Sequence, residues 1–193
     1  MKVDGSCDLS ILEKLFEDIS NKDLDFDEEH TFVIKSTVPI GTTKKLREKY
    51  PLLWIVHNPE FLTARNAVND LAKADRTVIG GDSTLTSRVA KLYYGYVYYG
   101  EDHNIIQCSS DESEAIKYFS NTFLAYKVAY FNKVYDVCEK LGMDYNNLRK
   151  GITTDPRIGK SHTQVPGIDN DRGFGGTCFP KDLNSLINQM KSH

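Results

Sequence analysis

The stretch DESEAIKYFSNTFLAYKVAYFNKVYDVCEKLG, residues 111–142, decides the fold class, because it contains no proline and no glycine before its last residue. Its apolar side chains recur at steps of three and four: Ile116, Phe119, Phe123, Tyr126, Tyr130, Val134, Val137 and Leu141. This near-heptad spacing predicts one long helix with an apolar seam, which Gly142 ends. Because such a helix extends beyond a small domain, we predict that residues 111–141 pack on a second copy of the chain. A buried central helix in a monomer is the alternative.

Before this helix, short β-branched runs alternate with helical patterns. Four strands are predicted, in TFVIKST (31–37), LLWIVHN (52–58), RTVIGGD (76–82) and NIIQCSS (104–110). Such alternation is typical of a parallel sheet that helices cover on both faces. The sequence therefore predicts an α/β protein, with a parallel sheet over residues 1–109 and an all-α domain built on the one long helix over residues 110–193.

The composition excludes several classes of protein. The chain has 193 residues and a formal net charge of -3 without a basic run, which argues against nucleic-acid binding. No apolar stretch approaches the roughly 20 residues that span a bilayer, and the N-terminus lacks a signal-peptide pattern. The cysteines fit no zinc motif, so we expect no metal site and interpret them as reduced thiols of a cytoplasmic protein. They are Cys7, Cys108, Cys138 and Cys178.

The run GFGGTCFPKD, residues 173–182, contains a candidate nucleophile. Its glycines let a ligand approach the backbone closely, and Pro180 is typical of the first position of a helix. Cys178 would then lie at a helix N-terminus, where the partial positive charge and the nearby Lys181 stabilise a thiolate. Asp182 opposes this effect unless it orients a water or a side chain. A small residue in a tight loop-to-helix turn is the alternative.

Lys117 and Asn121 form a second candidate group. They are four residues apart on one face of the predicted helix and could donate hydrogen bonds to an oxyanion. The ordinary explanation is a solvated face on which Glu114 pairs with Lys117.

Two strand ends carry further candidates, because ligands bind at the carboxyl ends of strands in open α/β sheets. Glu60, in NPEFL after the second strand, could be a base or an exposed loop carboxylate. Ser36 and Thr37 follow the first strand and could bind a phosphate, a ribose or a catalytic water, or could only shape a turn.

Seven segments occur together, and in order, in one family. They are DGSCDLS, VIKSTVPIGTT, NPEFL, DRTVIGGD, EAIKYFSNTFLAYKVAYFNKVYDVCEKLG, DPRIG and GFGGTCFPKD. On these segments, from Asp4 to Asp182, the chain resembles the UDP-glucose/GDP-mannose dehydrogenase family. The resemblance implies the second half of a Rossmann-like NAD-binding domain and a helical central domain that forms a homodimer. It also implies oxidation of a nucleotide sugar to a carboxylate with two NAD. UDP-glucose is favoured; GDP-mannose and UDP-N-acetylmannosamine are alternatives.

The resemblance assigns roles to particular residues. Cys178 would attack the aldehyde stage and form a thioester, while Lys117 and Asn121 would stabilise oxyanions and Asp182 would position the lysine or a water. Thr37 and Glu60 would hold and activate the hydrolytic water. Contacts with NAD are implied for Thr37 and Lys181. Contacts with the sugar nucleotide are implied for Phe61, Leu62, Lys117, Asn121, Gly175 and, across the dimer, Arg157.

The chain also departs from the family pattern. No Gly-x-Gly-x-x-Gly run follows a strand, and the chain stops eleven residues after Asp182, so we expect a truncated protein that binds NAD weakly or not at all. Ala64 stands where the family usually has glutamate. In the loop 161–172, Ser161, His162 and Arg172 are only candidates for substrate contacts. A non-catalytic dimerisation or binding module is the alternative function.

Overall fold

The structure is a computed structural model, and it describes residues 5–22, 30–62, 67–72, 74, 76–94 and 103–191. Ala64 lies outside these residues. The helices and strands, in chain order, are α1 (Ser10–Ser20), β1 (Thr31–Ile34), α2 (Thr42–Lys49), β2 (Trp54–His57), α3 (Ala67–Ala72), β3 (Arg76–Gly80), α4 (Ser83–Leu92), β4 (Asn104–Cys108), α5 (Ser110–Leu141), α6 (Tyr145–Ile152) and α7 (Phe179–Lys191). The four predicted strands and the long helix are confirmed.

The sheet has the order β1-β2-β3-β4 and is mostly parallel. Strand β1 pairs with β2, and β3 with β4, in parallel registers of four and five residues. Strands β2 and β3 are antiparallel and meet at a single pair, His57 with Gly80. The predicted parallel sheet did not include this antiparallel junction, because β-branched runs have the same composition whichever way the strand points. The α/β class itself is confirmed.

The described chain divides into two compact units. The first comprises residues 1–118 with 188–193, and the second comprises residues 119–187. Helix α5 begins in the first unit and continues into the second, so the division falls within this helix, and the predicted boundary at residues 109 and 110 stays a prediction. Each unit is described by itself below.

In the first unit, helices cover the sheet through two apolar clusters. One joins α1 and α2 to β1 and β2, and its buried members are Phe16, Ile34, Val38, Leu46, Tyr50, Leu53 and Ile55. The other packs α4 on the sheet, with Val56, Ile79, Leu85, Val89 and Ala90. Helix α4 begins at Asp82, whose carboxylate accepts a hydrogen bond from the backbone N–H of Thr84 at 3.0 Å, as expected of an N-cap.

The second unit packs α6 and the following loop on α5. Its buried apolar cluster contains Phe131, Cys138, Tyr145 and Val165. The apolar seam of α5 has a different environment. Six of its members are exposed in this chain: Phe119, Phe123, Tyr126, Tyr130, Val137 and Leu141. Ile116 and Val134 are partly buried.

The start of α5 is fixed by its own side chains and by a close backbone approach. Ser109 and Glu112 form a capping box, in which the Ser109 N–H donates to the Glu112 carboxylate at 2.8 Å and the Glu112 N–H donates to the Ser109 hydroxyl at 3.2 Å. Gly80 lies so close to this turn that a Cβ there would be 2.3 Å from the Cβ of Ser113. Only glycine fits the end of β3 at this point.

None of the described helices has an apolar stretch long enough to cross a membrane.

Candidate functional site

In the first unit, α5 presents Lys117 to the loop that follows β2. The lysine is only 5% exposed. Its ammonium donates a short hydrogen bond to the carbonyl of Glu60 and lies 3.7 Å from the Glu60 carboxylate. The expectation that Glu114 pairs with Lys117 on a solvated face is wrong, since Lys117 is buried and its ionic partner is Glu60.

The loop at Glu60 is held from several sides. The Glu60 carboxylate accepts the N–H of Leu62 at 2.6 Å. The ring of Phe61 has two cations near it, with the Lys117 nitrogen 5.2 Å and the Arg76 guanidinium carbon 4.6 Å from its centre. A positive charge near an aromatic face is attracted by the ring quadrupole. Lys117 and Arg76 therefore fix the loop that carries Phe61 and Leu62.

Glu114 binds the N-terminus of helix α2. Its carboxylate is fully buried and accepts the backbone N–H of Gly41 at 2.6 Å and of Thr43 at 2.8 Å, together with the Thr43 hydroxyl at 2.6 Å. Gly41 is the N-cap of α2 and has a φ of 91°, which favours glycine. Burial raises the pKa of Glu114, although the hydrogen bonds from Thr43 and Gly41 oppose this. Glu114 therefore supplies the cap of α2 that its own sequence lacks.

His57 is a buried residue that sequence reasoning missed. Its Nδ1 lies 2.9 Å from the Ser113 hydroxyl and its Nε2 lies 3.2 Å from the Ser36 carbonyl. Because a carbonyl only accepts, Nε2 carries the proton and Nδ1 accepts from Ser113. Burial lowers the pKa of His57 to about 4, and the charges of Lys35 and Lys117 add to the lowering. The neutral imidazole therefore links the segment before Thr37 to α5.

A polar network lies beside this link. The Lys35 ammonium donates to the side-chain oxygen of Asn58 at 2.7 Å and to the Tyr93 hydroxyl at 3.0 Å. Asn58 is buried, and its amide donates to the carbonyl of Val78 at 2.7 Å. These hydrogen bonds join the residues that follow β1 and β2, and the half-buried Thr37 comes three residues after the end of β1.

The second unit contains the other predicted group. The Asn121 amide donates to the Asp182 carboxylate at 2.6 Å, and these residues are 7% and 1% exposed. The Lys181 ammonium forms a short hydrogen-bonded ion pair with the other carboxylate oxygen. Asp182 therefore has one neutral and one charged donor in the first turn of α7.

Cys178 comes directly before α7, and its thiol is exposed. Its carbonyl accepts the N–H of Asp182 at 2.9 Å, which is the first hydrogen bond of the helix. Cys178 is therefore an N-cap residue, as predicted, and the helix begins one residue before Pro180. The Thr177 hydroxyl lies 3.8 Å from the sulfur.

The glycine-rich loop before Cys178 is tied to α5. The N–H of Gly173 donates to the side chain of Asn132 at 3.0 Å. Arg172 pairs with Asp136, and its guanidinium lies 5.0 Å from the centre of the Tyr135 ring. Gly175 is exposed, with open space where a Cβ would project.

Arg157, predicted to act across a dimer, is exposed. Its guanidinium pairs with the Asp155 carboxylate of the same chain at 2.6 Å. The hydrogen bonds within this pair raise the pKa of Arg157 and lower the pKa of Asp155.

The predicted residues therefore fall into two groups, one in each unit. Lys117 contacts Glu60 and Phe61 in the first, and Asn121 contacts Asp182 in the second. Within the described part of the chain, no three His, Cys, Asp or Glu side chains are arranged to hold a metal ion.

The residues present fit only part of an NAD molecule. Pyrophosphates bind at helix N-termini, and α2 supplies such an end after β1. Its N–H groups at Gly41 and Thr43 already bind Glu114. The N-terminus of α2 therefore does not fit the pyrophosphate of NAD. Lys35 and Thr37 are the polar side chains at the same edge of the sheet.

The chain combines a partial Rossmann-like sheet with a helical region, which is the architecture of Rossmann-like dehydrogenases. Two family profiles match it. The UDP-glucose/GDP-mannose dehydrogenase family NAD binding domain matches residues 1–97, and the central domain of that family matches residues 111–193. The chain belongs to the UDP-glucose/GDP-mannose dehydrogenase family.

Individual relatives agree with this assignment. The chain is 36% identical over 180 residues to a UDP-glucose 6-dehydrogenase of Campylobacter jejuni, covering 93% of this chain and 43% of the relative. It is 37% identical over 197 residues to a UDP-glucose 6-dehydrogenase of Rickettsia bellii, covering 100% and 43%. A solved UDP-glucose dehydrogenase from Pyrobaculum islandicum aligns with a TM-score of 0.80 at 32% identity, covering 99% of this chain and 44% of that one. The chain thus spans less than half the length of these relatives.

Proposed function

We propose that this chain is the core of a nucleotide-sugar 6-dehydrogenase that converts UDP-glucose to UDP-glucuronate. Family membership supports the class of reaction, and the relatives called UDP-glucose 6-dehydrogenase support the substrate. The observation that carries the proposal is an exposed cysteine at the N-terminus of α7, with the buried pair of Asn121 and Asp182 in the same unit.

Cys178 is the proposed nucleophile. Its thiolate adds to the carbonyl carbon of the C6 aldehyde, a C–S bond forms, and the carbonyl electron pair moves to oxygen. An alkoxide needs hydrogen-bond donors that are already in place. Asn121 and Lys117 are the proposed donors, and Asp182 positions Asn121 through its 2.6 Å hydrogen bond.

Loss of a hydride from this adduct to the acceptor gives a thioester, and hydrolysis of the thioester requires an activated water. Glu60 and Thr37 are the residues we assign to it, with Glu60 as the base. Lys117 lies 3.7 Å from the Glu60 carboxylate and also donates to its backbone, so this lysine holds the base in one place. Proton transfer through Lys117 belongs to the same proposal.

NAD supplies the hydride acceptor, and the conversion of an alcohol to a carboxylate uses two molecules of it. Thr37 and Lys181 are the proposed contacts with NAD. For the sugar nucleotide we assign the backbone of Phe61 and Leu62, the open backbone at Gly175, and the side chains of Lys117 and Asn121.

A homodimer is part of the proposal. The exposed apolar seam of α5 repeats at heptad steps, which is the pattern that pairs two helices. Arg157 is exposed and would reach the sugar nucleotide of the second copy. We also place the protein in the cytoplasm, since the four cysteines, all described, form no disulfide.

The test is a parallel assay of the purified chain with NAD and UDP-glucose, GDP-mannose or UDP-N-acetylmannosamine. The expected product is UDP-glucuronate, detected by mass spectrometry and matched by NADH formation. Cys178→Ala should abolish it, whereas Cys7→Ala should not. Product formation by Cys178→Ala would remove this residue as the nucleophile.

A non-catalytic dimerisation or binding module is the second candidate. The occupation of the α2 N-terminus by Glu114 favours it, because the pyrophosphate of NAD then cannot bind at this helix end. A folded chain that dimerises but forms no product from any of the three sugars supports this second function.

A further inference from the structure

His162 has an unusual conformation near the candidate nucleophile. Its φ is 60°, a left-handed value that residues with a side chain rarely adopt. Its ring lies 5.6 Å from the ring of Phe179, with an angle of 50° between the planes. Phe179 is the first residue of α7 and directly follows Cys178.

One nitrogen of the His162 imidazole also lacks a hydrogen bond within the described part of the chain. Its Nδ1 is buried and has no hydrogen-bond partner among the described residues. Burial, with a smaller effect of the Lys127 charge, lowers the pKa of His162, so the ring is neutral at pH 7. The contact with Phe179 is therefore one between two uncharged rings.

Hydrogen bonds hold the backbone on the C-terminal side of His162. The Thr163 hydroxyl donates to the carbonyl of Lys160 at 2.8 Å, and the Tyr145 hydroxyl donates to the carbonyl of Thr163 at 2.6 Å. Thr163 is fully buried. The backbone after His162 is therefore fixed by α6.

The N-terminal side is clamped by α5. The Lys127 ammonium donates to the carbonyl of Ile158 at 2.7 Å and of Gly159 at 3.3 Å. With both flanks held, His162 cannot relax to an ordinary φ without breaking one of these contacts.

We propose that His162 is a positioning residue for Cys178. The left-handed backbone at position 162 places the imidazole of His162 against the ring of Phe179. This contact keeps the first turn of α7 from fraying. An ordered first turn keeps the positive end of the α7 dipole beside Cys178, the proposed nucleophile. Backbone strain and an unsatisfied nitrogen both destabilise a fold, and such features persist where function requires them. The inference rests on the proposed function only in that Cys178 is the nucleophile.

The competing explanation is that histidine is there because it tolerates a left-handed turn, as asparagine does. The two explanations differ in what His162→Asn changes. Asparagine keeps the turn and leaves no ring nitrogen buried, so the melting temperature should equal or exceed that of the wild type. Only the positioning role makes this variant alter the chemistry of Cys178.

The experiment measures the rate at which iodoacetamide alkylates Cys178 at pH 7, by peptide mass spectrometry, with Cys7 of the same molecule as the reference. We expect His162→Asn to react about fivefold more slowly, because a frayed helix start no longer holds the positive end of the dipole beside the sulfur. His162→Phe keeps an aromatic ring and should restore the rate to within about twofold of the wild type. Phe179→Ala should be as slow as His162→Asn.

The double variant His162→Asn/Phe179→Ala should react no more slowly than either single variant, because both remove one contact. A Cys178 rate in His162→Asn within about twofold of the wild type overturns the proposal, and so do additive effects in the double variant. The readout needs neither NAD nor sugar. Retained turnover in Cys178→Ala would therefore refute the proposed function and leave the measured coupling of His162 to Cys178 as it stands.

Discussion

Glu114 binds Thr43 twice, accepting its backbone N–H at 2.8 Å and its hydroxyl at 2.6 Å, and so caps α2 from another helix. Replacing Glu114 by alanine leaves the buried N–H of Thr43 and the half-buried N–H of Gly41 without their acceptor. We expect this variant to lose about 3 kcal/mol of unfolding free energy, since each unsatisfied buried donor costs about 1–3 kcal/mol. Urea denaturation measures the loss.

Glu112→Ala is the matched control, two residues earlier on α5. It removes one half of an exposed capping box and should cost only about 1 kcal/mol. Equal losses in the two variants would show that Glu114 does not act as a buried cap.

The end of β3 has no room for a side chain. A Cβ on Gly80 would lie 2.3 Å from the Cβ of Ser113 and 2.7 Å from the carbonyl of Ser109, so Gly80→Ala must displace the start of α5. We expect a loss of about 3 kcal/mol or more. Gly151→Ala has nothing within 4 Å and lies in α6, so it should instead stabilise by about 0.5–1 kcal/mol. Thermal unfolding of both variants measures the two changes in stability. A destabilised Gly151→Ala variant would contradict the prediction.

His57 makes stability depend on pH in a defined direction. Its pKa falls from an ordinary 6.5 to about 4 in the folded chain, so between these values the unfolded chain binds more protons. Stability is therefore lost as the pH falls through this window, by roughly 2–3 kcal/mol between pH 7 and pH 4.5. The His57→Asn variant should not show this loss of unfolding free energy on acidification, because it has no imidazole at position 57 to protonate.

The raised pKa of Glu114 has the opposite sign, because its folded carboxyl gains a proton more readily than the unfolded one as the pH falls. This contribution is common to the wild type and His57→Asn, so it cancels in their difference. Urea denaturation of both proteins at pH 7 and pH 4.5 is the measurement. Identical losses on acidification would mean that His57 is not the group responsible.

The exposed seam of α5 predicts a dimer that charge disrupts. Phe123 is 64% exposed and Tyr126 is 69% exposed. Phe123→Glu and Tyr126→Glu place a carboxylate in an apolar interface, so each should weaken dimerisation by about 100-fold or more. Glu139→Lys, on the opposite face of the same helix, should leave it unchanged. Light scattering after size exclusion distinguishes these outcomes, and a monomeric wild type would refute the dimer.

NAD binding tests the fit described for the α2 N-terminus. We expect calorimetric titration to give a dissociation constant weaker than about 100 μM, equivalent to roughly -5.5 kcal/mol. Tighter binding would contradict this expectation. Glu114→Ala serves as the comparison, because vacating the N–H groups of Gly41 and Thr43 should strengthen binding if the pyrophosphate can reach them.

Periodicity and local chemistry were enough to predict several features. The heptad spacing indicated α5, and Pro180 with the preceding glycines indicated where α7 begins and that Cys178 lies at its start. These features depend on residues close together in the chain. Position after a strand indicated Glu60 as a possible base, and family resemblance added the proposed roles of Glu60 and Asp182 with the thioester and its water.

Features that depend on distant residues could not be predicted. Nothing near Glu114 in the sequence shows that its partners are Gly41 and Thr43, more than 70 residues away. The burial of His57 and the contact of His162 with Phe179 are likewise set by tertiary packing. The direction of β3 was missed because strand composition does not encode polarity.

One short interval of α5 has a consequence for evolution. Glu114 accepts hydrogen bonds from the start of α2. Lys117, three residues later, donates to the carbonyl of Glu60 in the loop after β2. Both contacts therefore depend on a fixed rotation between the two side chains about the axis of α5. Inserting or deleting a single residue between them would swing one side chain by about 100° and break its contact. Homologous sequences that keep both contacts should therefore align across this interval without a gap.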